Sequence, residues 1–160
     1  MNGLTDLVLR FHDAGVECLV IGGMAAVYHG APIVTRDVDF CAPLTQENIA
    51  RILAAVEGLH PRHFTRPDLP VIANEPEQLR GFKNLYLRTD VGKIDVLGEV
   101  PGVGSYDQIK DRAIVIEVEG VRLRVLDIDT LIAAKTFAGR ARDHLAISHL
   151  EQIRKRTKPG

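Results

Sequence analysis

Leu4, Leu7, Val8 and Phe11 recur at helical spacing, which predicts an amphipathic helix over residues 4–14 that stops at Gly15. The pattern then changes. Residues 17–23 (E-C-L-V-I-G-G) form a short continuous apolar run closed by two glycines, the signature of a buried strand. Residues 24–29 predict a short helix, ended by Gly30 and Pro32, and residues 37–42 (D-V-D-F-C-A) alternate with period two as a strand does. Thr45 is placed to cap a helix over 46–59, whose stripe is Ile49, Ile52, Leu53 and Val56.

Residues 60–80 contain four prolines and predict a loop, with an edge strand over 70–73. Residues 82–88 and 93–97 flank T-D-V-G and predict a hairpin. Ser105 and Gln108 have capping-box spacing for a short helix near 106–112. Residues 114–118 and 121–126 predict a second hairpin around Glu119-Gly120, and two helices over 128–138 and 141–156 are separated by Gly139. Mixed strands, hairpins and helices specify an α/β (α+β) fold with a mixed sheet.

The 160 residues, 46% of them hydrophobic, suit a single domain over 1–160 with its own core and a flexible basic tail from about 154 to 160. No apolar run approaches the ~18 residues of a membrane span, and the opening M-N-G-L-T-D-L lacks the features of a secretory signal. Cys18 and Cys41 lie in apolar segments as small hydrophobes, so a cytoplasmic location is expected. A net charge of −1 argues against nonspecific attraction to a phosphate backbone.

Among twelve aspartates, roughly one D-x-D arises by chance. Asp127-Ile-Asp129 stands where a helix begins, and capping explains it. Asp37-Val-Asp39 differs, because a strand projects both carboxylates from one face, ~7 Å apart, while Val38 and Phe40 take the other. Such a pair repels unless a cation or a basic side chain sits between them, and the neighbouring Arg36 is expected to point away. Asp95, in K-I-D-V-L, alternates with Ile94 and Val96 and becomes a third ligand if its strand lies beside the first. Aspartate is disfavoured in strands, so three of them call for a reason, and magnesium takes such oxygen ligands. Gly22-Gly23 is either a tight strand-to-helix turn or a place where phosphate approaches the backbone. Lys135 shares a helix face with Leu131 and Ile132, and Asp143 shares one with Ala146, Ile147 and Leu150, giving either a structural ion pair or a site. His60 and His63 have no ligand-spaced partner and read as loop residues.

In order along residues 15–150, the segments L-V-I-G-G-M-A-A-V-Y-H-G, T-R-D-V-D-F, K-I-D-V-L and L-D-I-D-T-L-I-A-A-K-T-F-A-G-R-A-R-D resemble the DNA polymerase β-type nucleotidyltransferase superfamily. The likeness is greatest to its minimal members, including toxins of toxin–antitoxin and abortive-infection systems. The resemblance implies magnesium (two ions, with manganese as a substitute) on Asp37, Asp39 and Asp95, and a nucleoside triphosphate such as ATP held by Gly22, Gly23 and Lys135, with Asp143 orienting the lysine. It also implies a hydroxyl acceptor on tRNA or other RNA, a protein or a small molecule, and an antitoxin partner. Many members have serine where this chain has Gly23. The alternatives are a non-catalytic nucleotide-binding, antitoxin-like protein of the same fold, or a dinucleotide-binding module.

Overall fold

The structure is a computed structural model that describes residues 3–66, 68–69 and 72–157. The helices are α1 (Gly3–Asp13), α2 (Gly22–Tyr28), α3 (Gln46–Ala55), α4 (Tyr106–Ile109), α5 (Ile128–Ala138) and α6 (His144–Thr157). The strands are β1 (Leu19–Ile21), β2 (Asp37–Cys41), β3 (Arg62–His63), β4 (Asn84–Arg88), β5 (Lys93–Leu97), β6 (Glu99–Val100), β7 (Gly104–Ser105), β8 (Ala113–Val118) and β9 (Val121–Leu126). Seven strands form one mixed sheet in the order β3-β4-β5-β2-β1-β9-β8, and β6 and β7 make a separate ribbon. The expected α+β architecture is therefore present.

The sheet divides the molecule by the alternation of β2 and β5. Val38, Phe40, Ile94 and Val96 are fully buried on one face. There Phe40 stacks on Phe11 of α1 with ring centroids 4.1 Å apart, and α1 in turn packs against α3. Burying each such side chain stabilises the fold by about 1.5–3 kcal/mol. Asp37, Asp39 and Asp95 occupy the opposite face, with α2 running from the end of β1 beside them. Helices α5 and α6 pack on α2 and close that side.

The centre of the sheet is β5-β2-β1-β9. β2 is parallel to β5 and antiparallel to β1, and β1 is parallel to β9. Since β1–α2–β2 returns antiparallel, it is not the right-handed parallel βαβ unit on which a dinucleotide-binding module is built. That alternative is excluded by topology.

Helix and strand ends differ from expectation for local reasons. α2 begins at Gly22 rather than at residue 24, so both glycines lie in its first turn. α3 stops at Ala55, short of residue 59, and a turn leads to Gly58, whose φ of +81° cannot continue a helix. A 3₁₀ turn, Ala141–Asp143, precedes α6, which runs on to Thr157 and so includes the first residues expected in a flexible tail. Positions 158–160 lie outside the described residues, as do 70 and 71 of the expected edge strand. The outermost strand is instead β3, where Arg62 and His63 pair with Arg88 and Leu87. The expected caps are present: Thr45 Oγ1 accepts from the Asn48 N–H, and Asp127 Oδ1 from the Thr130 N–H.

Asn48 also joins two segments that lead into the sheet. Its side chain accepts from the Glu17 N–H at 2.9 Å and donates to the Glu17 and Pro43 carbonyls at 3.0 and 2.8 Å. It is buried, and removing it deprives three half-buried backbone groups of their partner. Asn48→Ala is expected to lower unfolding free energy by about 2 kcal/mol or more, read from urea denaturation midpoints at constant slope.

Candidate functional site

The parallel register of β2 and β5 sets Asp39 directly opposite Asp95 and Asp37 opposite Lys93. One oxygen from each of Asp37, Asp39 and Asp95 falls within 4.8 Å of the others. Two carboxylates at that spacing repel by about 3 kcal/mol at an effective dielectric of about 20. Two oxygens, Asp39 Oδ1 and Asp95 Oδ1, are buried with no hydrogen-bond partner. Burial first, then the charges of Asp37 and Asp95, push the Asp39 carboxyl up to about 7, against the pull of Lys93 and Lys135. Burial likewise raises Asp95, while Lys93 opposes it. The oxygen-only donor set fits a hard divalent cation, which would meet both orphaned oxygens.

Gly22 makes this arrangement sterically feasible. Its φ is +66°, and a Cβ there would lie 2.2 Å from Asp39 Oδ2. Gly23 is constrained from another side, since its Cβ would lie 2.7 Å from Thr35 Oγ1 and 3.0 Å from Thr35 Cβ. The space that a serine side chain would need is therefore filled by Thr35, whose hydroxyl donates to the Asp37 carbonyl at 3.1 Å. The glycine pair is thus a packing requirement as well as a turn.

Lys135 and Asp143 meet as the shared helix faces suggested. Both are buried, and Lys135 Nζ donates to Asp143 Oδ1 at 3.3 Å. Arg140 Nε donates to Asp143 Oδ2 at 2.7 Å. Burial alone would push the Asp143 carboxyl up, but the hydrogen bonds and charges of Arg140 and Lys135 outweigh it and hold Asp143 below the usual carboxylate range. The ion-pair reading is therefore present in the geometry, and Lys135 also faces the carboxylates across the cavities.

Two cavities adjoin here. The larger, about 410 Å³, is bounded by Gly22, Gly23, Asp37, Asp39 and Asp95 and by the basic residues Arg36, Lys93, Lys135, Arg140 and Arg142. The smaller, about 240 Å³, is mainly apolar, with Tyr86, Leu97, Val100, Pro101, Leu126 and Leu131 in its walls. Gly22, Asp39, Asp95, Lys135 and Arg140 belong to both, so Asp39 and Asp95 stand at the seam and Asp37 on the side of the larger cavity.

Sequence reasoning missed three of these residues. Arg36 was expected to point away, but it precedes the first residue of β2, where strand alternation does not apply. Thr35 carried no local signal. Alternation alone puts Lys93 on the face of Asp95, but its partnership with Asp37 was legible only through register: if Asp95 pairs with Asp39, the residue two before it must pair with Asp37. His60 does find an acidic partner, Asp90, but in an exposed hairpin turn away from these cavities. Among the described residues, the triad is the only such His, Cys, Asp and Glu cluster able to hold a metal, and no helix is long and apolar enough to cross a membrane.

No protein-family model matches the chain, and no curated protein matches it. A crystal structure from Thermotoga maritima, provisionally named a nucleotidyltransferase, is similar over 95% of this chain and 88% of that one, with a TM-score of 0.55 and 16% identity. At that identity the likeness shows the fold, which is nucleotidyltransferase-like.

Two outcomes test this geometry. Because the folded-state value of Asp39 lies above its ordinary one, the metal-free protein holds its proton longer than the unfolded chain does, and stability drains away as pH rises from about 4 through 7. In a chelator, Asp39→Asn should gain melting temperature over the parent between pH 5 and pH 8, and added manganese should reverse the ranking at pH 8. Gly23→Ser should destabilise by about 1–3 kcal/mol through overpacking, and Thr35→Ala in the same chain should recover most of it, read from denaturation midpoints.

Proposed function

We propose that this chain transfers a nucleoside monophosphate from a nucleoside triphosphate to a hydroxyl acceptor and releases pyrophosphate. The observation that carries the reading is the pair of buried, unpartnered oxygens, Asp39 Oδ1 and Asp95 Oδ1, at the seam between a basic cavity and an apolar one. Asp37, Asp39 and Asp95 would hold magnesium, proposed as two ions with manganese as a substitute. Bound there, the metal supplies Lewis-acid stabilisation of phosphate charge and makes a hydroxyl easier to deprotonate.

The remaining work belongs to the chain. Lys135, Arg140, Arg142 and Arg36 offset the charge of the triphosphate in the larger cavity. Gly22 and Gly23 let phosphate approach the backbone because neither interposes a side chain. Asp143 fixes Lys135 and Arg140 by accepting from both. The apolar cavity suits the nucleoside, with Tyr86 on the same sheet face as Asp95. The acceptor oxygen forms a bond to the α-phosphorus as the bond to the bridging oxygen of pyrophosphate breaks, and Asp95 takes the hydroxyl proton.

The acceptor, an RNA end such as that of tRNA, a protein or a small molecule, and a toxin role with an antitoxin partner are finer proposals that draw on the sequence resemblance. The non-catalytic alternative is separated by turnover. With magnesium, cell extract and each α-labelled NTP in turn, beginning with ATP, the protein should release pyrophosphate and label one acceptor. Asp39→Asn should lose at least about 100-fold in rate with an unchanged circular dichroism spectrum. Full activity in that variant overturns the assignment, and absence of turnover with every NTP favours the non-catalytic member.

A further inference from the structure

Lys93 does not behave as a solvated strand lysine. Its Nζ lies 3.7 Å from Asp37 Oδ2 and 3.6 Å from Asp95 Oδ2, between two of the three carboxylates. On its other side the ring of Phe64 faces the ammonium, with Nζ 4.5 Å from the centroid. Phe64 is itself placed by the sheet, since its N–H donates to the Tyr86 carbonyl on β4 at 2.8 Å. Cross-strand pairing with Asp37 fixes the root of the side chain, and the aromatic face and two carboxylates fix its tip. By contrast, among the described residues no cation forms a salt bridge with Asp39, whose Oδ1 is orphaned.

The cluster is thus filled unevenly: the Asp37–Asp95 side already holds a positive charge, and the Asp39–Asp95 side does not. We propose that Lys93 is a resident counter-cation of the carboxylate cluster, so that the protein without nucleotide takes one divalent ion, on the Asp39–Asp95 side, and is barred from a second by the ammonium. A second ion enters only with a triphosphate, which brings its own oxygen ligands and the negative charge to compensate it. The inference rests on the metal-site reading given above, and it assigns to Lys93 a control over cation number that the carboxylates alone would not exert. A lysine held for packing alone would leave cation binding unchanged when its charge is removed.

The test uses manganese titrated into the metal-free 160-residue chain without nucleotide, followed by calorimetry and by the loss of the free-ion electron paramagnetic resonance signal. The parent should bind one ion. Lys93→Met keeps the stem over Phe64 and removes the charge, and should bind two, the first about tenfold more tightly. Lys93→Gln should follow Lys93→Met, and Lys93→Arg should follow the parent. Melting temperatures in chelator show whether each variant is folded. Parent-like stoichiometry and affinity in folded Lys93→Met and Lys93→Gln overturn the role of Lys93 while leaving the metal site standing. Manganese uptake that survives Asp39→Asn, or no uptake by parent and variants alike, overturns the metal site and this inference together.

Discussion

Three carboxylates on adjacent central strands are the constraint around which the rest of the molecule is arranged. Asp39 and Asp95 are neighbours through the parallel register of β2 and β5, not through the chain, and Asp37 lies two residues along the same face. Their mutual repulsion pushes the strands apart. Opposing it, the other face of the same two strands is locked by Val38, Phe40, Ile94 and Val96, all fully buried. Each of those burials is comparable to one pairwise repulsion. The alternation of β2 and β5 therefore couples core and site, so that the strand which carries the charge also carries the apolar anchor that holds it in place.

The helices over that face bring compensation to the charge. Lys135 is buried on α5, where a lone ammonium is costly, and it is tolerated because Asp143 accepts from it in the 3₁₀ turn before α6. Arg140 completes the carboxylate's partners from just beyond Gly139, whose left-handed φ of 63° ends α5 and turns the chain back. The G-R-A-R-D segment is thus a structural corner as well as a source of basic side chains.

Much of this was legible in the sequence because it depends on local periodicity. The period-two runs located β2 and β5, the Glu119-Gly120 turn between apolar runs located β8 and β9, the helical stripes located α1, α3 and α5, and the caps at Thr45 and Asp127 follow from short-range hydrogen bonding. The placement of Asp37, Asp39 and Asp95 on one face followed from alternation together with a guess that two strands are neighbours. What stayed hidden depends on tertiary placement. Lys93 becomes a partner of Asp37 only once strand order and register are known. Thr35 fills the space at Gly23 from a loop with no periodic pattern. β3, two residues long, is a strand only because β4 lies beside it.

The charge of the larger cavity bears on what can enter it. Five basic side chains (Arg36, Lys93, Lys135, Arg140 and Arg142) face four acidic ones (Asp37, Asp39, Asp95 and Asp143), so the formal charge of the cavity's lining is near balance, as is the whole chain at −1. A triphosphate alone would bring its negative charge beside three carboxylates, and divalent ions alone would bring positive charge beside five bases. Together they nearly cancel, and each supplies what the other lacks: phosphate oxygens complete the cation's ligands, and the cation screens phosphate from carboxylate. On the proposed reading, the residues on either side of the seam select the metal–nucleotide complex over its parts. On that same reading, the two halves of the complex would meet at the orphaned oxygens of the seam.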